Sequence, residues 1–221
     1  AVKKGEVFNW SPLFCEADVI QVLNQFVTIS YRRPTWLSQN VCLEFFDAGH
    51  ILGSAFANIT INPNKTNPKK ETRILYTGDI GRKCKPIIRN PSVDMPAPDY
   101  IYLESTYGDT LHVNHDFAMK ELERIVREAC AKKGKIIIPS FAIERAQELV
   151  FYLTDQKKIP VIPIYVDSPM ASNATSVFRV HPECYDESVN EAFLKHHKNP
   201  FGFNSLTYTT SVEESKRLNK K

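Results

Sequence analysis

Three apolar runs in this chain give out in the same way, at a polar residue beside glycine. They are Phe45-Phe46-Asp47-Ala48-Gly49-His50, Ile74-Leu75-Tyr76-Thr77-Gly78-Asp79 and Tyr102-Leu103-Glu104-Ser105-Thr106-Tyr107-Gly108. A short, β-rich apolar run bounded by glycine reads as a strand entering a tight turn. Neighbouring strands in a sheet bring their ends together, so a His, an Asp and a Glu placed this way converge on one point. An imidazole nitrogen suits a borderline-soft ion such as Zn²⁺, and a carboxylate can bridge two ions. Each segment alone is a weak signal, because Gly-Asp after a strand is more often a plain turn. Three so close together are harder to dismiss.

The glycine count points to the same window. The chain has 8 glycines in 221 residues, about half the ~7% of an average protein. Five of them, at 49, 53, 78, 81 and 108, fall within 60 residues, where the backbone must turn sharply or approach a ligand. Hydrophobic residues at 43% and charged residues at 24% describe a globular chain and exclude wholesale disorder. No run of ~18 apolar residues occurs, so no transmembrane helix is expected, and the first residues lack the apolar core of a signal peptide.

A net charge of +3, from 28 basic and 25 acidic residues, is too weak to indicate nucleic acid by itself. The basic residues do cluster, at Lys65, Lys69, Lys70 and Arg73, at Arg82, Lys83 and Lys85, and at Lys132, Lys133 and Lys135. Solvated loops and helix ends are the simpler reading of these groups. Five widely spaced cysteines without Cys-x-x-Cys argue against a disulfide framework or a cysteine zinc site, and for a reduced, intracellular protein.

Along the chain, Val19, Val22, Leu23 and Phe26 form a helical stripe starting near Ser11 or Cys15. Strands are expected at Val41–Phe46, Ala55–Ile61, Arg73–Thr77 and Tyr100–Leu103. The proline-rich stretch Pro86 to Pro98 reads as a surface loop, since proline does not belong in a central strand. From Tyr107 the rhythm changes. Leu122, Ile125, Val126 and Ala129 mark one helix face, Lys135–Ile138 a buried strand, and Ile143, Ala146, Val150 and Leu153 a second helix. Val161–Val166 reads as a strand and Pro169–Val180 as a third helix. Strands alternating with helices predict a mostly parallel α/β layer, and the chain divides near residue 106.

The segments resemble those of the β-CASP family of metallo-β-lactamase-fold nucleases, which includes the endonuclease subunit of the cleavage and polyadenylation specificity factor. Ala48-Gly49-His50-Ile51-Leu52-Gly53-Ser54-Ala55 is similar to that family's third metal motif and Tyr76-Thr77-Gly78-Asp79 to its fourth. Glu104-Ser105-Thr106-Tyr107-Gly108 is similar to the acidic motif opening the β-CASP insertion, in the form of the RNA-cutting branch. Pro139-Ser140-Phe141-Ala142, Arg145-Ala146-Gln147-Glu148 and Tyr165-Val166-Asp167-Ser168-Pro169-Met170-Ala171 resemble segments inside the insertion. The fold implied is α/β: the C-terminal part of a metallo-β-lactamase αββα sandwich (1–106), followed by part of an α/β/α β-CASP domain (107–221).

The resemblance also implies roles. His50 would ligate one of two Zn ions and Asp79 would bridge both. Glu104 would orient a histidine from elsewhere. The activity implied is zinc-dependent hydrolysis of RNA phosphodiester bonds, in RNA processing or decay. The implied setting is cytoplasmic, or nuclear in a eukaryote, without membrane association, as a homodimer or within an RNA-processing complex. The family's His-x-His-x-Asp-His motif and its later histidine motifs are absent, so the chain is expected to be an internal fragment, inactive by itself. A non-catalytic scaffold and a small-molecule hydrolase of the same fold are the rival readings.

Other positions stay open. Ser140 and Ser168 each follow an expected strand and precede a helix, fitting either N-caps or RNA-phosphate contacts at helix N-termini. Arg145, in a first helical turn where the dipole disfavours positive charge, needs an anion, either a protein carboxylate or an RNA phosphate. His112, His115, His196 and His197 read as capping or solvated residues.

Overall fold

The computed structural model describes residues 12–62, 71–154, 159–196 and 199–218. Lys65, Lys69, Lys70, His197 and the side chain of His196 lie outside the described residues.

Short runs rich in β-branched and aromatic residues lay down the first sheet. β1 (Thr35–Ser38), β2 (Val41–Asp47), β3 (Ala55–Ile61), β4 (Thr72–Tyr76) and β5 (Tyr100–Tyr102) hydrogen-bond in that order. The first four run antiparallel, and β5 lies parallel to β4. In the β2–β3 ladder Phe46 stands opposite Phe56. These two side chains bury against Ala48 and Leu75, with Ile80 and Met95 packed over them. Each phenylalanine contributes roughly 1.5–3 kcal/mol of burial.

Ahead of the sheet, α1 (Glu16–Leu23) begins where expected. The Asp18 carboxylate accepts the Cys15 backbone N–H at 2.7 Å, with Glu16 and Asp18 in the turn where the dipole favours acids. Its apolar stripe is nonetheless open: none of its residues is buried, and Val19, Val22 and Leu23 are each about half exposed.

Downstream come α2 (His115–Ala131), α3 (Arg145–Leu153), β6 (Ile164–Val166), α4 (Pro169–Val180), a single 3-10 turn at Pro182–Cys184, α5 (Glu187–His196), β7 (Leu206–Tyr208) and α6 (Val212–Leu218). β6 and β7 pair in parallel. The molecule is mixed α/β, as expected.

Two expectations fail. Lys135–Ile138 is not a strand; all four residues are exposed, Ile137 to 88%. An apolar run becomes a strand only when a neighbour pairs its backbone, and among the described residues no strand flanks this one. Nor does the whole proline-rich stretch run over the surface. Ile87 and Ile88 are buried to 0% and 4%, forming one core with Phe178, Tyr185, Val189 and Phe201. Ile88 bridges Tyr185, and Ile87 C=O accepts the Asp186 N–H at 2.7 Å. Proline removes a ladder donor but does not stop the next residues from packing. The segment after the fourth strand therefore enters the core built by α4 and α5.

Candidate metal centre

The β2–β3 connection carries His50, and almost every polar group in it is fixed. Asp47 accepts the Gly49 N–H at 2.8 Å, and Ser54 Oγ accepts the N–H groups of His50 (3.0 Å) and Ile51 (3.2 Å). Tyr31 Oη donates to Ser54 C=O at 2.7 Å. Gly49 and Gly53 hold left-handed backbone, φ +59° and +84°. Ala48 packs into the sheet core and Leu52 against the helical core, so both ends of the loop are anchored and His50 projects between them.

The loop after β4 carries Asp79. Gly81 lies so close to the His50 loop that a Cβ there would fall 1.6 Å from Gly49 O. Its N–H donates to Ala48 C=O at 2.8 Å. This contact sets the two loops side by side, and His50 Nε2 stands 3.7 Å from Asp79 Oδ2.

Glu104 follows β5. Its carboxylate accepts the Ile80 N–H at 3.1 Å and the Thr106 N–H at 3.0 Å, while its own N–H donates to Thr77 Oγ1 at 3.3 Å. The Ile80 N–H, then Thr106 and the attraction of His50, hold the carboxyl down at about 2, so Glu104 is anionic at every physiological pH. It pins the turn that presents Asp79, and the three strand ends converge as their sequence suggested.

Donors each about 2.0–2.2 Å from one Zn²⁺ stand roughly 3–4 Å apart in a tetrahedral shell. The 3.7 Å between His50 and Asp79 matches that spacing, and both side chains reach solvent. A nitrogen and a carboxylate at this distance fit a zinc ion. Among the described residues no group of three or more His, Cys, Asp or Glu assembles, so His50 and Asp79 are two candidate donors where a closed zinc site takes four.

The remaining candidates are arranged differently. α3 starts at Arg145 behind Glu144, whose φ is +66°. Ser140 lies outside that helix, exposed, its hydroxyl donating to Phe141 C=O at 3.2 Å, and is not the expected N-cap, because the left-handed turn at Glu144 separates it from the helix. Ser168 does cap: its Oγ accepts the Ala171 N–H of α4 at 3.1 Å, and Pro169 opens the helix. Arg145 Nη1 pairs with Glu148 Oε2 at 2.8 Å, so a protein carboxylate is the anion beside it. His115 Nε2 meets Tyr152 Oη at 2.7 Å and His112 packs edge-on to Tyr107; neither is a ligand pair.

Lys85 carried no separate signal in the sequence, where it grouped with Arg82 and Lys83 as a solvated cluster. Arg82 and Lys83 are exposed, but Lys85 is 9% exposed. Its Nζ lies 3.2 Å from Glu148 Oε1 and 4.0 Å from Glu144 Oε1, and donates to the His50 carbonyl at 2.6 Å. Burial, opposed by Lys85 and reinforced by Glu148, lifts the Glu144 carboxyl to about 7. The lone hint was position, since a lysine directly before Pro-Ile-Ile would be drawn inward with the isoleucines.

Residues 146–221 match the Beta-Casp domain model. A ribonuclease of Thermus thermophilus is 34% identical over 95% of this chain and 46% of its own length. A transcription termination factor FttA of Pyrococcus abyssi is 30% identical over 86% of this chain and 29% of its own. The cleavage and polyadenylation specificity factor subunit 3-I of Arabidopsis thaliana is 27% identical over 96% of this chain and 30% of its own. Over nearly its whole length the chain is similar to proteins of the β-CASP metallo-β-lactamase-fold family, and its residues 146–221 match that family's domain. It spans less than half the length of these curated relatives.

Proposed function

We propose that this chain is part of a two-zinc hydrolase that cleaves RNA phosphodiester bonds. The observation that carries this is His50 Nε2 beside Asp79 Oδ2 at 3.7 Å, on loops locked together by Gly81. The relatives named as ribonuclease and cleavage factor subunit support RNA as the substrate. His50 would hold one ion and Asp79 would contact both; the ions would supply a nucleophilic hydroxide at neutral pH and offset phosphate charge. Glu104 keeps the Asp79 turn in register and remains available, as an anion, to orient a neighbouring imidazole.

The reading includes a division near residue 106, between a metal-bearing part and a β-CASP part. It places the exposed Ser140 hydroxyl, the open face of Arg145 and the N-terminus of α4 at Ser168 along the RNA backbone. Assembly as a homodimer or within an RNA-processing complex, in the cytoplasm or a nucleus, belongs to the same proposal. No helix among the described residues is long and apolar enough to cross a membrane.

The experiment is cleavage of end-labelled RNA by the full-length protein with zinc, comparing wild type with Asp79→Asn. A neutral amide bridges two cations poorly, so the rate should fall at least a hundredfold with the circular dichroism unchanged. A variant retaining more than about a tenth of the wild-type rate would remove Asp79 from the centre.

A further inference from the structure

The buried cluster around Lys85 lies outside the pair of ligand side chains, yet one of its hydrogen bonds ends on a ligand residue. Lys85 sits six residues past Asp79 and reaches back to the His50 carbonyl at 2.6 Å. Its ammonium is also 3.2 Å from Glu148 and 4.0 Å from Glu144, and all three side chains are more than nine-tenths buried. Glu148 in turn holds Arg145 at 2.8 Å. These two acids belong to the start of α3, so a direct polar line runs from that helix to the backbone of His50.

The stereochemistry at His50 shows what the line accomplishes. Its backbone N–H is taken by Ser54 Oγ at 3.0 Å and its C=O by Lys85. With both peptide groups fixed, the Cα–Cβ bond of His50 holds one direction, from which the imidazole stands 3.7 Å from Asp79. Without Lys85 only the N–H side is held, and the peptide after His50 can rotate. A buried ammonium is a demanding way to bind one carbonyl, since taking a charge out of water costs several kcal/mol. The acids on α3 compensate it in place. The carbonyl anchor thus depends on carboxylates about 100 residues away in sequence, at the edge of the matched β-CASP region.

We propose that Lys85 is a positioning residue for the metal centre, setting His50 through its carbonyl, and that Glu148 with Glu144 sets Lys85, so that the seating of α3 determines how well the centre holds zinc. This rests on the metal-centre reading above. It assigns Lys85 and the two acids no contact with substrate or metal.

The test is zinc affinity of the full-length protein, by competition with a chromophoric chelator, with folding followed by circular dichroism. Lys85→Met together with Glu148→Gln removes the buried ammonium and the carboxylate nearest to it at once, which a core tolerates far better than stranding one. The folded double variant should bind zinc at least tenfold more weakly, in the range expected for groups supporting a ligand. Lys85→Arg, which keeps a cationic donor, should stay within about threefold of wild type. A merely structural salt bridge would shift the melting temperature and leave affinity well below melting untouched, so affinity within twofold of wild type in the double variant overturns the proposal. Should that variant fail to fold, Glu148→Gln alone carries the test: a threefold or greater loss of affinity supports the proposal and an unchanged affinity overturns it. Wild-type protein that binds no zinc would instead overturn the metal-centre reading, and this inference with it.

Discussion

Gly81 and Gly53 show at single-residue scale how differently two glycines serve one site. A Cβ on Gly81 would lie 1.6 Å from Gly49 O and 2.6 Å from the His50 N, all backbone atoms that cannot swing aside. Gly81→Ala must push the Asp79 loop off the His50 loop and stretch the bond to Ala48. It should cost about 1–3 kcal/mol as overpacking and weaken zinc binding as well. Gly53 has open space where a Cβ would go, but a φ of +84°. Gly53→Ala should cost about 1–2 kcal/mol from backbone alone and leave metal affinity nearly intact. Melting curves and zinc titrations of the two variants separate close approach from backbone conformation. His50, Asp79 and Glu104 were legible in the sequence because each sits in a short segment whose glycines and preceding strand are local signals. Lys85 was not, because its three partners lie 35 to 63 residues away and no local pattern distinguishes a buried lysine from a solvated one.

Among the elements, β2, β3, β4 and β5 lie within a residue or so of where short apolar, β-rich runs were expected to form strands. α4 spans Pro169–Val180 as read, because Ser-Pro supplies both a cap and a preset first turn. Ser168→Ala should therefore lower stability by about 1 kcal/mol, measurable by denaturant unfolding. If RNA also contacts this terminus, the same variant should weaken RNA binding, a separate readout. α3 was harder. Its apolar face was evident, but its start depends on Glu144 in a left-handed conformation and on Gln147, whose amide donates to Thr175 Oγ1 at 2.9 Å and to Ala171 C=O at 3.3 Å. Such tertiary contacts decide where the helix begins, and they displaced Ser140 from the cap. Lys135–Ile138 failed as a strand for a related reason: periodicity describes what a segment can do, while pairing partners decide whether it does. α5, β7 and α6 have no strong periodic or turn signature; α5 is placed by Val189 and Phe193 packing into the core with Tyr185 and Phe201, and β7 by pairing with β6.

At the scale of the whole molecule, the loops after β2 and β4 belong to two cores at once. Leu52, Ile87 and Ile88 reach the helical core while Ala48 and Ile80 belong to the sheet core, so the His50 and Asp79 loops are held from both sides. The charge cluster between those sides makes stability depend on pH. Glu144, facing Lys85, Glu148 and Arg145, has its carboxyl raised from 4.5 to about 7, with burial the main cause. An acid that keeps its proton longer when folded stabilises the fold below about pH 4.5, and that contribution is lost as pH rises through about 7. Its contribution is at most about 3 kcal/mol, and Glu144→Gln should flatten the decline in stability between those values, as read by chemical unfolding across pH. His50 and Asp79 are the metal ligands of the proposed centre. The most direct test is a crystal structure of the full-length protein loaded with zinc, with data collected on either side of the zinc absorption edge. The expected result is two anomalous peaks, one about 2.0–2.1 Å from His50 Nε2 and both in contact with the Asp79 carboxylate. Zinc bound away from these side chains, or His50 and Asp79 paired only with each other in metal-loaded crystals, would contradict it.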